Sequence, residues 1–341
     1  MKLLTVGLPV HNAMPFLPET VDSLLKQSYE NFELLVIDDG SRDDSLAFLK
    51  SIKDRRLRLI SQENRGLTAT LNRMLAEVNT PWLVRHDADD IAFPHRLGLI
   101  AESIGRYPDA GMFYSYARYY QNGRFFGTFR TTSATPERLR DLTRAGYLLA
   151  ICHPTVTLNV AKTIDLGGYR FNLHVEDIDL WWRMALEYDI QLIPAATVGF
   201  RHNSMSVSSS NFEKQCVNTL FIQYLLLSHL WQLRPLSYEE ISPRLMSLVN
   251  RRHIRFRENA RLANISLSGK SYASAMRHLG QAFVASPADM VKRILYEFRS
   301  GAPVVNGENW KRFQAQKDLM WPEQSDRQDA SAPAITSASR I

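Results

Sequence analysis

Residues 34–45 read Leu-Leu-Val-Ile-Asp-Asp-Gly-Ser-Arg-Asp-Asp-Ser. A wholly apolar run stops on two carboxylates, Gly40 allows a sharp turn, and Asp43 and Asp44 supply the acids that suit a helix start. The stretch predicts a buried strand over 33–37, a polar turn over 38–41 and a helix over 44–53. One such unit decides little, but it repeats. Strand patterns recur at 3–8, 57–61, 82–86 and 111–116, and helix patterns at 18–27, 68–78 and 94–106. In the first helix Val21, Leu24 and Leu25 fall at helical spacing, and Pro18 suits the first turn. This alternation predicts an α/β fold, a mostly parallel sheet flanked by helices, whose ligands bind beyond the C-terminal ends of the strands.

Three polar turns should therefore converge on one edge of the sheet: Pro9–Asn12, Asp38–Ser41 and Asp87–Asp90. In Asp87-Ala88-Asp89-Asp90, carboxylates one residue apart can face a hard divalent cation, and Mg²⁺ or Mn²⁺ takes only one or two protein carboxylates. Alone, the triplet reads as an acidic loop capping the helix near Pro94; its place opposite two other polar turns favours the cation. Asp38-Asp39 can accept hydrogen bonds from a base or ribose, or belong to a helix N-cap region. Glu176-Asp177 begins a helix whose Leu180/Met184 and Trp181/Ala185 pairs repeat at helical spacing. The helix dipole favours carboxylates there, and one of them can act as a general base toward an acceptor hydroxyl.

Around these turns lie Asn64-Arg65-Gly66, Arg85, Arg96, Gly167-Gly168-Tyr169-Arg170 and Arg201-His202. The arginines can pair with phosphate oxygens. Gly167-Gly168 suggests a tight turn near a ligand. His202 can ligate a metal or contact a diphosphate, although lone histidines are usually structural. His11, in the first turn, can stack on or hydrogen-bond a base. His153-Pro154 leads into an apolar run at 155–160 and can simply orient that turn; Trp181 and Trp182 suit packing.

The chain has 341 residues, 45% hydrophobic and 22% charged, as in an ordinary globular protein. Cys152 and Cys216 have no metal-finger spacing and fit a reducing compartment. The N-terminal apolar run meets Pro9 and His11 before a signal peptide could be complete. The longest apolar stretch, Leu220 to Trp231, is interrupted by Gln223, Ser228 and His229 and falls short of the ~20 residues a membrane span needs. The expected location is cytoplasmic. After about residue 210 only helix patterns remain, at 211–233, 237–250, 253–266, 272–285 and 288–299. Three regions are expected: a catalytic domain at 1–210, a helical region at 211–300, and an extension at 301–341 ending in a disordered tail beyond Pro322. Residues 244–299 hold 11 Lys/Arg against 3 Asp/Glu, an excess of 8 where the whole chain carries +6. Such basic helices suit contact with the inner face of the cytoplasmic membrane or with phosphorylated acceptors; no nucleic-acid-binding module is recognisable.

Taken in order, Val6–Asn12 (VGLPVHN), Leu34–Ser45 (LLVIDDGSRDDS), Asn64–Asn72 (NRGLTATLN), Trp82–Asp90 (WLVRHDADD), Gly167–Arg170 (GGYR) and Val175–Arg183 (VEDIDLWWR) resemble the inverting family 2 glycosyltransferases over residues 1–205. The resemblance implies the GT-A fold and a nucleotide-sugar donor, usually a UDP-sugar. Pro9 and Asp39 match residues that hold the donor's base, with His11, Asn12 and Arg65 beside them. Asp87 and Asp89 match residues that bind the sugar-nucleotide and its Mn²⁺ or Mg²⁺, with His202 as a further metal ligand. Asp177 matches the catalytic base. The family usually has tyrosine where His11 stands. The acceptor class implied is a saccharide or lipid-linked saccharide of a cell envelope. The alternatives are a polyprenyl-phosphate sugar transferase of the same fold and a nucleotide-sugar-binding protein without turnover.

Overall fold

The computed structural model describes residues 2–121, 123–201, 212–249, 251–268, 271–291, 305–306 and 310–322. His202, the tail expected beyond Pro322 and most of the helix expected at 288–299 lie outside them. The chain divides into two compact units, Met1–Thr143 with Leu149–Arg201, and Arg144–Leu148 with His202–Ile341.

The first unit is α/β. In chain order it runs β1 (Leu4–Val10), α1 (Leu17–Leu25), β2 (Phe32–Asp39), α2 (Ser45–Ser51), β3 (Leu57–Gln62), α3 (Leu67–Glu77), β4 (Trp82–Arg85), β5 (Ile91–Ala92), α4 (Arg96–Arg106), β6 (Met112–Gln121), β7 (Arg124–Thr128) and α5 (Pro136–Arg144). After the short β8 (Leu148–Leu149) and a 3₁₀ turn at His153–Thr155 come β9 (Thr157–Asn159), α6 (Val160–Asp165), α7 (Glu176–Glu187) and β10 (Ile190–Arg201).

The sheet order is β3-β2-β1-β4-β9-β6-β10-β5, with β7 paired to β6. The strands read from alternation, β1 to β4, pair in parallel in the order β3-β2-β1-β4. Every residue from Leu4 to Leu8 is buried, as a strand covered by helices on both faces requires. Leu17, Val21 and Leu24 of α1 and Leu97, Ile100 and Ile104 of α4 pack with Leu4, Val6, Leu34, Val36 and Val84 in one core. Beyond β4 the sheet is mixed: β9 runs antiparallel between β4 and β6, and β10 is parallel to β6 but antiparallel to β5. That insertion departs from the mostly parallel expectation, because helical and strand periodicity carry no information about strand direction.

The second unit is helical over its long described segments, with α8 (Phe212–Leu230), α9 (Tyr238–Leu248), α10 (Arg251–Ser268) and α11 (Tyr272–Ala285), followed by α12 (Trp310–Ala315) and α13 (Lys317–Met320). The apolar run within α8 is its core: Leu220, Phe221, Ile222, Tyr224, Leu226 and Leu227 are buried. The Tyr224 ring stacks on Trp321 at 4.8 Å, whose indole N–H donates to Ser228 Oγ at 2.9 Å. Among the described residues no helix is long and apolar enough to cross a membrane.

Candidate functional site

The parallel register fixes where the polar turns stand. Val10 pairs with Asp38 and Gly7 with Arg85, so the turns after β1, β2 and β4 leave the same edge of the sheet. Pro9, half-buried, pairs with Ile37. His11 Nδ1 lies 2.9 Å from the Asp39 carbonyl oxygen and 3.1 Å from Asn64 Nδ2. Asn12 adopts a positive φ of 49°. It is braced by its own N–H to Ser41 Oγ at 3.0 Å and by Arg42 N–H to its Oδ1 at 2.8 Å.

Asp39 is buried and committed. Its Oδ1 accepts from Arg65 N–H at 2.8 Å and Gln62 Nε2 at 2.6 Å, and its Oδ2 from Gly66 N–H at 2.9 Å. The carboxylate thus gathers the amides ahead of α3, where Gly66 takes a φ of 83° closed to most side chains. A carboxylate offers about four acceptor positions, so one remains on Oδ2. The Arg65 guanidinium is exposed, with no ion pair among the described residues.

The turn after β4 is built differently. Arg85, fully buried, pairs with Asp87 at 2.5 Å and donates to the His86 carbonyl. Arg96 was a phosphate candidate by sequence, but it is wholly buried. It donates to Arg85 O at 2.7 Å, Pro154 O at 2.6 Å and His86 Nδ1 at 2.6 Å, and burial lowers it to about 9. It clamps the turn and is closed to a ligand. Burial, with the charges of Arg96 and Arg85, holds His86 neutral, well below its ordinary pKa. Its Nδ1 accepting from Arg96 leaves the proton on Nε2, which faces the Asp90 carbonyl at 3.3 Å.

Nor does Asp87-Ala88-Asp89-Asp90 cap α4: the residue ahead of that helix is His95, and no side chain caps it. Asp90 Oδ1 accepts from Arg201 N–H at 2.7 Å, while its buried Oδ2 has no partner. Arg201 also donates to Asp89 O at 2.5 Å and pairs with Glu19 at 2.6 Å, beneath the rings of Phe16 and Tyr120. It is therefore a latch on the turn and not a free phosphate ligand. Asp89 is raised to about 6, first by burial and then by Asp87.

The start of α7 joins this cluster. Asp177 is raised to about 6 by burial and by the charge of Asp87, against the Ile178 N–H that its Oδ1 accepts at 2.8 Å and against Arg85. Glu176, with its Oε2 buried and unpartnered, is raised to about 8 by burial and Asp177. Asp87 and Arg85 act on both acids, so the β4 turn and the α7 start share one electrostatic neighbourhood. Val175, which precedes the helix, makes no side-chain cap, and both acids lie within the first turn, where the helix dipole favours them.

Sequence reasoning missed what holds α7 in place. Asp179, fully buried, takes Arg170 through Nε at 2.9 Å and Nη2 at 2.6 Å, and Arg183 Nη2 at 2.7 Å. Arg183 also donates to Leu166 O at 2.6 Å and Gly168 O at 2.7 Å, stapling the double-glycine turn to the helix. Two arginines at 170 and 183 around one acid nine and four residues away were the available signal. From the other side, Asn72 of α3 reads both backbone groups of Tyr169, Nδ2 to O at 2.7 Å and N–H to Oδ1 at 3.0 Å. His153 Nε2 lies 3.1 Å from the Tyr169 hydroxyl, and burial keeps the imidazole neutral.

A divalent cation suits this donor set. Asp89 is an acid whose proton affinity is raised by burial among other acids, and Asp90 carries an orphaned oxygen. Among the described residues no three His, Cys, Asp or Glu side chains are grouped so as to hold a metal ion.

Comparison with known proteins places this geometry. The sequence profile described as glycosyl transferase family 2 matches residues 5–164. A putative glycosyltransferase of Bacillus subtilis, EpsE, is 29% identical over 191 residues, 52% of this chain and 65% of that protein. An uncharacterized glycosyltransferase of Haemophilus influenzae is 39% identical over 95 residues, 27% of this chain and 29% of that protein. The matches thus span less than two thirds of these relatives' lengths. Among solved structures, S. aureus TarS 1–349 in complex with UDP-GlcNAc superposes with a TM-score of 0.53 at 16% identity, covering 82% of this chain and 91% of that one. The mannosyltransferase PcManGT of Pyrobaculum calidifontis, in complex with GDP-Man and Mn²⁺, gives a TM-score of 0.50 at 14% identity, over 94% and 86%. At these identities the likeness is one of fold.

Proposed function

We propose that this chain, whose residues 5–164 match the profile of the family 2 glycosyltransferases, moves a sugar from a nucleotide-sugar, a UDP-sugar by preference, to an acceptor hydroxyl with inversion at the anomeric carbon. The observation that carries the reading is the shared neighbourhood of Asp87, Asp89 and Asp177 about Arg85: Asp89 and Asp177 are raised toward neutrality beside a turn with unsatisfied carboxylate oxygen. Catalysis is assigned to the domain expected at 1–210.

In this reading the remaining acceptor position on Asp39 Oδ2 takes an N–H of the base. Pro9, His11 and Asn12 line that end of the donor, and Arg65 meets its phosphates. Asp87 and Asp89 face the diphosphate, with Asp89 as metal ligand. Bound Mn²⁺ or Mg²⁺ supplies neutralisation of the leaving diphosphate. The TarS complex with UDP-GlcNAc and the PcManGT complex with GDP-Man and Mn²⁺ support a nucleotide-sugar and a divalent cation as ligands of this fold. Asp177, at about 6, is ionised at neutral pH yet basic enough to take the proton of the acceptor hydroxyl as it attacks. Glu176, at about 8, holds a proton beside it and so does not compete as an anion.

The acceptor proposed is a saccharide or lipid-linked saccharide used in building a cell-envelope polysaccharide, at the cytoplasmic side of the membrane. The test is a panel of UDP-, GDP- and dTDP-sugars, each with and without Mn²⁺, read by thermal stabilisation and then by transfer to saccharide acceptors. One donor should stabilise in a metal-dependent way and yield an inverted product. Stabilisation by none of them, or retention of configuration, overturns the assignment.

A further inference from the structure

α10 and α11 form an antiparallel hairpin: Ser266 Oγ meets Ser274 Oγ at 3.2 Å, and Asn259 Oδ1 lies 3.3 Å from His278 Nδ1. Between them Phe256 and Ala260 pack on Ala282. The seam uses the small residues of α11, Ala275 and Ala282, which are fully buried. The large apolar residues point the other way. Tyr272 is 65% exposed, Met276 67%, Phe283 52% and Val284 81%. At about 100° per residue, Tyr272, Met276 and Phe283 fall within one narrow stripe, continued through Gly280 and Ala273 to Val284 and edged by Arg277. A helix that buries its alanines and exposes its tyrosine, methionine and phenylalanine is inverted for a water-facing surface. Singly exposed apolar residues are ordinary, but a contiguous stripe marks a contact.

The charge around the stripe selects the contact. Residues 251–285 hold seven Lys/Arg and one acid, Glu258. Arg251, Arg252, Arg255 and Arg257 are exposed on α10, and Arg277 on α11. We propose that this hairpin lies on the anionic surface of a lipid bilayer, with the α11 stripe entering the headgroup boundary and the arginines meeting lipid phosphates. The pairing of an apolar face with a basic surround, on helices too polar to span, is what such a surface rewards. The inference rests on these side chains alone and is independent of the catalytic assignment.

The test uses the full chain and co-sedimentation with phosphatidylcholine vesicles, with and without phosphatidylglycerol. The protein should pellet with the anionic vesicles only, and less as salt rises. Met276→Glu with Phe283→Glu should weaken binding by more than about tenfold, and Arg277→Glu by less. Because these side chains are exposed, melting temperature and donor-dependent stabilisation should stay as in the parent chain, which separates loss of docking from loss of the site. Equal binding by parent and variants, or no binding to anionic vesicles, overturns the proposal. So does a self-associated chain that the double variant disperses, which would give the stripe to a second copy. A double variant that melts early while its parent ignores vesicles would give it to the chain's own residues 292–304.

Discussion

Two acidic turns leave the same edge of the sheet and are wired in opposite ways. At Asp39 the protein supplies three donors, from Gln62, Arg65 and Gly66, and the carboxylate is used to build the N-terminus of α3. At Asp87–Asp90 and Glu176–Asp177 the protein brings acids together, buries Asp90 and Glu176 and leaves an oxygen of each without a partner. Among the described residues Arg85 is the one cation ion-paired to an acid of this cluster, through Asp87. The first arrangement stabilises the fold; the second destabilises it and is relieved by a proton or a cation. A short acidic motif therefore tells nothing of its work until the donors around it are known.

Substitutions can break or sharpen that contrast. Asp177→Asn should show the largest effect, a fall in kcat of about 10²–10⁴ when a general base is removed, with the melting temperature unchanged or higher. An unchanged kcat with a phosphorylated lipid acceptor would instead move the protein to the polyprenyl-phosphate class. Asp89→Asn should lower turnover by about 10²–10³ and abolish Mn²⁺-dependent stabilisation, again without loss of fold, as the removal of one element of charge stabilisation does. Asp39→Ala should do the reverse: leave three donors unpaired, cost about 1–3 kcal/mol of stability in denaturant titrations, and raise KM for the donor more than it lowers kcat. If Asp39→Ala melted like the parent chain, the contrast would fail.

The smallest effect is one of pH. Folding raises Glu176 from 4.5 to about 8 and Asp177 from 3.8 to about 6. The folded state then holds more protons than the unfolded one between roughly pH 4 and 8, so stability is fullest below that window and declines as pH rises through it. Melting temperatures of the ligand-free protein should fall across this range, and Glu176→Gln should flatten the decline. The pH profile of kcat/KM should run the other way, rising through about 6 as Asp177 ionises.

Much of the fold could be read from sequence because periodicity is local. β1 to β4 and α1 to α4 each sit within a few residues of where apolar spacing and turn residues put them. β10 escaped that reading. Its Ile190–Arg201 run has Pro194 and Gly199 inside it, and its pairing with β6 shifts register twice near Ala196. The direction of β9 escaped too, since strand orientation follows from long-range closure. Of the site, the acids were legible as motifs, whereas the arginines were not: Arg65, Arg85, Arg96, Arg170 and Arg201 look alike in a sequence. Burial alone divides the exposed Arg65 from Arg96, sealed under His86 and Pro154. Asp179 stands beside Asp177 in the sequence, and only the fold brings Arg170 and Arg183 around it.

The seam between β6 and β10 has a practical consequence. The family profile ends at residue 164, but Met112 to Tyr120 find one of their hydrogen-bonding flanks in Ile190–Arg201. A fragment trimmed to the profile boundary would leave β6 as an open edge of its sheet, and exposed edges of that kind recruit other chains. Anyone dividing this protein for expression should cut after Arg201, where solubility is governed by the closure of the sheet and not by the reach of the family signature.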